Sequence, residues 1–251
     1  MKIDLNADLG ESYGPWRMGR DADMLDIVTS ANIACGFHAG DPMEMTRTVR
    51  LCLAKGVSIG AHPGFDDLHG FGRRQITGTS DGELASMIIY QIGASQAIAA
   101  TEGGRVHHVK LHGALSNMCM VNRNMSDVFA RAVRHLAPDL VIMAIAATEI
   151  EKAAAAVGGP LVREVFADRT YNDDGTLVAR SQAGAVIHDP DQAADHVLKM
   201  IEDQAVTSIN GVKVPVKPQT VCVHGDNPEA VRLAARVRAR LEKAGVVVAR
   251  F

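Results

Sequence analysis

This sequence contains few cysteines and few aromatic residues, and its net charge is small. Its four cysteines are far apart along 251 residues and form no C-x-x-C pair, so we expect reduced thiols and no disulfide framework. The formal net charge is −3, whereas nucleic-acid-binding proteins usually carry an excess of positive charge. We therefore expect a protein that does not bind nucleic acid. The cysteines are Cys35, Cys52, Cys119 and Cys222.

Signals for export, for a membrane and for common nucleotide sites are also missing. The sequence starts MKIDLNADLG, with neither the apolar centre of a signal peptide nor a transmembrane span of about 20 residues. No G-x-x-x-x-G-K-[ST] or G-x-G-x-x-G pattern follows a predicted strand. We expect a cytoplasmic protein that does not enter a membrane. Any nucleotide site must be unconventional or shared with a partner.

What the sequence does contain is an alternation of short apolar runs with amphipathic helical patterns. This order predicts a parallel sheet with helices on its faces, and in the absence of repeats or linkers we expect one domain over residues 1–251. Asp41 before Pro42, and Ser80 three residues before Glu83, predict capped helix starts. We predict strands at 3–8, 31–37, 57–62, 107–112, 140–146, 162–167 and 219–224, and helices at 42–54, 81–101, 126–136, 148–156, 190–204 and 228–244.

Residues 168–187 break this alternation. They contain the turn signal Asn172-Asp173-Asp174-Gly175 between short extended runs. Such a turn predicts a hairpin, and irregular excursions from a rigid scaffold often contribute to binding sites. We expect a hairpin or lid at about 168–187.

Polar residues on the predicted strands recur with a period of two. Side chains two residues apart share one face of a strand, and Asp4, Asn6 and Asp8 share one face of the first strand. The fourth strand repeats the pattern with Lys110, and the seventh with His224. Strands of a buried parallel sheet are usually apolar on both faces, and buried polar groups need partners. We therefore expect a barrel with a polar, ligand-accessible interior.

The ionisable residues also gather at the carboxyl ends of the strands, the edge at which barrels and open α/β sheets carry their active sites. Asp and His from several strands could bind a divalent metal that activates water. The same groups could act as acids and bases without a metal, and their spacing leaves both chemistries open. The residues at these ends are Asp8, His38, His62, His112, Asp168, His224 and Asp226.

Two features have the chemistry of anion binding. Arg73 and Arg74 lie in a glycine-rich loop, where guanidinium groups could hold a carboxylate or phosphate, although a solvated pair fits the sequence equally well. Lys110 on an inner barrel face needs an acid or an anionic substrate beside it.

Six blocks of the sequence resemble those of the LamB/YcsF family. They are long, they occur in the family's order, and together they extend over nearly the whole chain. The blocks are DLNADLGES (4–12), TSANIACGFHAGDP (29–42), IGAHPGFDDLHGFGRR (59–74), HVKLHGAL (108–115), EVFADRTYNDDGTLVARSQAGAVIHDP (164–190) and CVHGDNPEA (222–230).

This resemblance implies a seven-stranded β/α barrel, TIM-like and of the glycoside hydrolase/deacetylase type. It also implies the A subunit of an ATP-dependent 5-oxoprolinase, which opens the lactam of 5-oxo-L-proline to L-glutamate together with partner subunits B and C. ATP is hydrolysed to ADP and phosphate in that reaction, and is bound either with or by the partner subunits.

Within this hypothesis the candidate residues receive roles. Asp8, His38, His62 and His112 are the catalytic candidates, and the first three are also candidate ligands of a divalent metal. The candidates for substrate binding are Asn6, Asn32, Arg73, Arg74, Lys110, Asp168, His224 and Asp226.

The fourth block departs from the family's usual KPHGALYN. Leu111 replaces the proline, on a side expected to face the helices, and Ser116 replaces the tyrosine and is expected to alter the pocket wall. Two alternatives stay open at this point. One is a metal-dependent deacetylase or amidohydrolase acting on a small or carbohydrate substrate, and the other is a non-catalytic carrier of a small acid.

Overall fold

A computed structural model describes residues 1–225 and 227–251; the predicted site residue Asp226 lies outside the described residues. Its strands are β1 (Lys2–Leu9), β2 (Ser30–Ala34), β3 (Ser58–His62), β4 (Val106–Val109), β5 (Val141–Ile145), β6 (Leu161–Phe166), β7 (Ala205–Thr207), β8 (Lys213–Pro215), β9 (Thr220–Cys222) and β10 (Val247–Val248). Its helices are α1 (Asp21–Met24), α2 (Pro42–Lys55), α3 (Asp81–Thr101), α4 (Gly113–Val121), α5 (Arg123–Leu136), α6 (Glu149–Val157), α7 (Pro190–Asp203) and α8 (Pro228–Lys243).

Seven parallel strands close into a barrel. They follow the order β1-β2-β3-β4-β5-β6-β9, and β9 pairs with β1 to complete the ring. The short β10 strand pairs in parallel with the first residues of β1, where Lys2 is opposite Val247. The pairing of β1 with β9 begins after these residues, at Asp4. The predicted seven-stranded β/α barrel is therefore confirmed.

The helices begin where the sequence predicts a cap. Asp41 accepts hydrogen bonds from the backbone amides of Met43 (2.8 Å) and Glu44 (2.9 Å), and Pro42 occupies the first turn of α2. Ser80 and Glu83 form the predicted capping box of α3. Each cap satisfies amides that have no partner inside the helix, which explains why these helices start at these residues.

Three strands end two or three residues earlier than predicted. The β2 strand stops at Ala34, β4 at Val109 and β9 at Cys222. The residues that follow leave the ladder to form the loops at the carboxyl end of the barrel, and an apolar pattern does not mark that departure. The prediction also missed α4, because its glycine start lacks a side-chain cap.

The hydrophobic core lies between the barrel and the surrounding helices. The outward strand faces, such as Leu5 and Val109, pack with helix residues such as Val49 and Phe129. One described helix, α3, has the length and apolar composition of a membrane span. In this fold α3 lies in the outer helical layer, where residues such as Ile88 and Ile92 are buried in that core.

Residues 168–187 form an irregular excursion after β6. Tyr171 and Leu177 form an antiparallel bridge around the turn, and Arg169 forms another with Val186. A parallel bridge joins Tyr171 to Ser208, beside the β7–β8 hairpin. The excursion thus lies between the barrel and that hairpin.

Candidate active site

Strand register aligns the polar inner faces of the barrel. Asn6 of β1 is opposite Ser30 on one side and Cys222 on the other, and Asp8 is opposite Asn32. The amide of Asn32 donates to both Asn6 Oδ1 and Asp8 Oδ1 at 2.8 Å. Asn6 and Asn32 are fully buried, so they support the carboxylate of Asp8 from below.

Glycine at position 60 makes room for another inner residue. A Cβ atom at Gly60 would lie 2.1 Å from Nε2 of His108. That nitrogen is 2.8 Å from Asn32 Oδ1, so His108, a residue at the predicted strand start, belongs to the same buried network. Burial lowers the pKa of His108 to about 3, which keeps the ring neutral.

Lys110 lies at the centre of the barrel's carboxyl end. Its Nζ is 3.0 Å from Asp8 Oδ1, 2.9 Å from Glu164 Oε1 and 3.1 Å from Cys222 Sγ. Burial opposes the charge on Lys110, but Asp8, Cys222 and Glu164 together raise its pKa well above the ordinary value. The expected acid partner of Lys110 is therefore present within the chain.

Asp8 is held as a carboxylate. Burial opposes its ionisation, but the charges of His62 and Lys110 outweigh that effect and place the pKa of Asp8 well below its usual value. Its Oδ2 lies 3.2 Å from His62 Nε2, and its side chain is 21% exposed. This carboxylate is thus ionised, fixed in position and accessible from the cavity.

The three histidines expected at strand ends meet beside Asp8. The rings of His38 and His112 stack at 3.6 Å, and His62 lies edge-on to both. Glu11 joins them, with Oε1 3.7 Å from His38 Nε2 and 3.8 Å from His112 Nδ1. These four side chains form a group that could hold a metal ion; we call it the His/Glu cluster.

Backbone carbonyls orient two of the cluster rings. His62 Nδ1 is 2.8 Å from the carbonyl oxygen of Lys110, and His112 Nε2 is 2.8 Å from that of Phe71. Burial lowers the pKa of His112 to about 3, with a further contribution from His62. Burial, followed by the nearby His112, lowers the pKa of His38 as well.

Asp168 and His224 form a second acid–histidine pair, in addition to Asp8 and His62, and this pair lies next to Arg180 of the 168–187 excursion. His224 Nδ1 lies 2.7 Å from Asp168 Oδ2, and Arg180 Nη2 is 3.3 Å from His224 Nε2. Burial opposes a charge on His224, but Asp168 more than compensates and raises the pKa of His224. Burial likewise opposes the charge on Asp168, and His224 lowers the pKa of Asp168.

A cavity of about 480 Å³ lies at the carboxyl end of the barrel, lined among others by Asp8, Glu11, Lys110, His112 and His224. Arg73 and Ser116 contribute to its wall, as do the excursion residues Val178 and Arg180. Leu111 also lines the cavity, although the sequence suggested a helix-facing position. Because β4 ends at Val109, the alternation of faces no longer applies at Leu111.

Arg74 does not line this cavity with Arg73. Its guanidinium binds the buried Asp67, with Nε 2.7 Å from Oδ1. Asp67 also accepts from the backbone amide of Gly70 at 2.9 Å. The pair therefore closes the loop that presents Phe71 and Arg73 to the site.

Sequence reasoning missed several residues of the site. Glu164 is an acid within an apolar strand, and Glu11 lies three residues after Asp8, so each had a signal that could have been noticed. Cys222 had one as well, since it lies two residues before His224 on the same face of the seventh predicted strand, but it was not named as a site residue. The sequence also did not suggest that Arg180 would lie beside His224.

The LamB/YcsF family model matches residues 3–251. The chain belongs to this family. Among its relatives, a protein from Rhodopseudomonas palustris that is named as the A subunit of 5-oxoprolinase is 52% identical over 100% of this chain and 99% of its own length. Its namesake from Nitrobacter hamburgensis is 52% identical over 100% of this chain and 98% of its own.

One solved structure agrees with this fold over its full length. The lactam utilization protein from Thermus thermophilus is 43% identical, covers 100% of both chains and superposes with a TM-score of 0.94. The catalytic domain of a peptidoglycan N-acetylglucosamine deacetylase from Eubacterium rectale is 10% identical, with a TM-score of 0.51 over 99% of this chain and 87% of its own. That second similarity concerns the barrel fold alone.

Proposed function

We propose that this chain is the A subunit of an ATP-dependent 5-oxoprolinase. It would open the lactam of 5-oxo-L-proline to L-glutamate together with partner subunits B and C. The names of the relatives at about half identity support this assignment. The observation that carries it is the position of Asp8, held between Lys110 and His62 at the edge of a charged cavity.

The cavity suits a small anionic substrate. Arg73 and Arg180 bring positive charge to its wall, and guanidinium groups bind carboxylates and phosphates through paired hydrogen bonds. We propose that these two residues hold the carboxylate of 5-oxo-L-proline or a phosphate attached to its lactam oxygen. Lys110 is already paired with Asp8 and Glu164. We propose that its main role is to position Asp8.

ATP supplies the activation that a stable five-membered lactam requires. We propose that the lactam oxygen attacks the γ-phosphorus of ATP, so that a new O–P bond forms, the bond from that phosphorus to ADP breaks, and the lactam nitrogen releases its proton to solvent. With no common phosphate-binding pattern in this chain, we assign the nucleotide to the partner subunits. The barrel then receives the phosphorylated ring.

Ring opening requires a water molecule and a base. Asp8 accepts a proton from the water as its oxygen adds to the phosphorylated carbon. The carbon–nitrogen bond then breaks, both protons of that water end on the nitrogen, and γ-glutamyl phosphate results. A second water converts this acyl phosphate to L-glutamate and phosphate. A positioned general base typically contributes about 10²–10⁴ in rate.

Two structural assignments accompany this function. We propose that residues 168–187 act as a lid, since Leu177, Val178, Ala179 and Arg180 of this segment line the cavity. We also place the protein, as one domain, in the cytoplasm, because its four buried free cysteines fit a reducing compartment.

Reconstitution tests the proposal. The chain purified with the B and C subunits of its own organism should convert 5-oxo-L-proline and ATP to glutamate, ADP and phosphate. Asp8→Asn should lower glutamate formation by about 100-fold or more. Asp195→Asn, a surface change on α7, serves as the matched control and should leave the rate unchanged. An Asp8→Asn rate equal to the wild-type rate would exclude Asp8 as the base.

The His/Glu cluster favours a second candidate function, a metal-dependent amidohydrolase that acts without ATP. In that case the isolated chain, without partner subunits, would hydrolyse acetylated amines or small amides. Turnover of an N-acetyl sugar by the metal-loaded chain, with no glutamate formed in the reconstituted system, would select this candidate.

A further inference from the structure

We propose that Glu11, His38, His62 and His112 bind one divalent transition-metal cation, with Zn²⁺ as the best-matched ion. Three imidazoles and one carboxylate are ligands that Zn²⁺ accepts. The inference stands apart from the lactam-opening reaction, because metal binding is a property of the isolated chain.

The first argument comes from the tautomers of two rings. A carbonyl oxygen only accepts hydrogen bonds, so His62 Nδ1 and His112 Nε2 must both carry hydrogen to bond the carbonyls of Lys110 and Phe71. In neutral rings the other two nitrogens, His62 Nε2 and His112 Nδ1, then both carry lone pairs. These two nitrogens face each other at 3.0 Å.

Two lone pairs at this distance repel unless a positive charge lies beside them, either a proton that makes His62 an imidazolium or a metal ion. The Oδ2 atom of Asp8, 3.2 Å from His62 Nε2, adds a third electron-rich atom on the same side. A metal ion satisfies all of these groups together, whereas a single proton bonds only two of them. Metal-bound histidines also typically donate their other ring N–H to a carbonyl or carboxylate, as His62 and His112 do here.

His38 provides an independent observation. Its side chain is 1% exposed, and neither ring nitrogen has a hydrogen-bond partner within residues 1–225 and 227–251. A buried polar group without a partner is destabilising. Its Nε2 faces Glu11 Oε1 at 3.7 Å, so a cation between them would satisfy the unpartnered nitrogen.

The spacing of the ligand atoms fits a small cation. One ligand atom from each residue lies within 4.8 Å of all the others. Ligands about 2.0–2.1 Å from a tetrahedral Zn²⁺ lie roughly 3.4 Å from one another. Here the two ring nitrogens of His62 and His112 are 3.0 Å apart, and Glu11 Oε1 lies 3.7 Å from His38 Nε2 and 3.8 Å from His112 Nδ1. Small movements of the rings would bring all of these separations to the tetrahedral value. Glu11 and His112 also line the cavity, which gives the ion a route of entry.

Metal titration of the chelator-treated full chain tests the proposal. We expect one Co²⁺ or Zn²⁺ to bind per chain, with visible Co²⁺ absorption typical of nitrogen ligation and a rise in thermal unfolding temperature. His38→Asn and Glu11→Gln should each weaken binding by tenfold or more. The matched control His69→Asn changes an exposed histidine and should bind like wild type.

Three results would overturn the proposal. They are a folded wild-type chain that binds no metal, binding that His38→Asn and Glu11→Gln leave unchanged, and NMR detection of a proton shared by His62 and His112 in the presence of excess Zn²⁺. Glutamate formation by the metal-free reconstituted enzyme would show that lactam opening does not need the ion, and it would not affect the binding result. The two proposals can therefore fail separately.

Discussion

At the scale of single residues, Lys110 determines how the buried acids of the barrel coexist. It lies 3.0 Å from Asp8 and 2.9 Å from Glu164. Burial raises the pKa of Glu164, and the Lys110 ammonium opposes that rise. Removing one partner of a buried ion pair leaves an uncompensated charge, which typically costs about 3–5 kcal/mol.

We therefore expect Lys110→Met to lower the free energy of unfolding by about 3–5 kcal/mol. Adding Glu164→Gln should restore part of that loss, because the second change removes one of the unpaired acids. Denaturant unfolding of the two single variants and the double variant measures this coupling. Strictly additive effects would show that the pair does not interact in the folded chain.

The Asp168–His224 pair predicts a pH dependence at the same scale. The folded-state pKa of His224 is raised above its ordinary 6.5, so its stabilisation is complete below that value and is lost as pH rises through the raised pKa. Asp168, with its pKa lowered, contributes above its ordinary 3.8 and loses its contribution as pH falls through the lowered pKa. The contribution of the pair is therefore complete between the two ordinary values, pH 3.8 and 6.5, and declines outside them as the pH passes through each folded-state pKa.

His224→Gln should lower stability by about 1.5–3 kcal/mol within that window. The difference between wild type and variant should shrink as pH rises from 6.5 through the raised pKa of His224. Thermal unfolding measured across the pH range checks this expectation. A difference that is the same at every pH would show that His224 stabilises the chain only by packing.

At the scale of elements, the loop after β3 gives two adjacent arginines different contacts. Arg73 reaches the cavity, whereas Arg74 binds the buried Asp67. Gly72 between Phe71 and Arg73 has a φ of +63°, and a Cβ there would lie 2.6 Å from His38 Cβ. The loop therefore packs its backbone directly against the histidine rings.

Arg73→Ala should raise KM for 5-oxo-L-proline in the reconstituted enzyme by about tenfold, the loss of roughly 1.4 kcal/mol, with little change in unfolding temperature. Arg74→Ala should instead lower the unfolding temperature, since it leaves the Asp67 carboxylate without its cation. Kinetics and thermal unfolding of the two variants form a matched comparison. Equal effects of both changes on KM would contradict this division.

At the scale of the whole molecule, the two ends of the barrel serve different purposes. The carboxyl end holds the charged cavity, and the opposite end is extended by β10 beside the start of β1. Phe251 follows β10, and its ring lies edge-on to His108 at 5.5 Å. In β/α barrels, residues at the amino-terminal end of the strands contribute to stability rather than catalysis.

Phe251→Ala should therefore lower the free energy of unfolding by about 1–3 kcal/mol, less than the cost for a fully buried phenylalanine. The rate of glutamate formation at saturating substrate should stay at the wild-type level. Denaturant unfolding and steady-state kinetics of the same preparation check both expectations. A rate loss larger than the stability loss would connect this end of the barrel to the chemistry.

Much of the fold was predictable because its signals are local. The period of two in Asp4, Asn6 and Asp8 marks the inner face of β1, and the cap at Asp41 marks the start of α2. The strand ends were harder to predict, since the chain leaves the ladder after Val109 while its apolar pattern continues. Glu164 carries a local signal, an acid within an apolar strand, but its contact with Lys110 is set by the tertiary structure.

By itself, the sequence determined the seven strands, the capped helices and the family, because propensity, side-chain period and ordered blocks are all properties of adjacent residues. Only the tertiary structure decided which side chains meet. Closure of the ring and the register of each strand bring Glu11 to His112, Lys110 to Glu164 and His224 to Asp168. These contacts depend on the distances between strands, and no local sequence pattern specifies those distances.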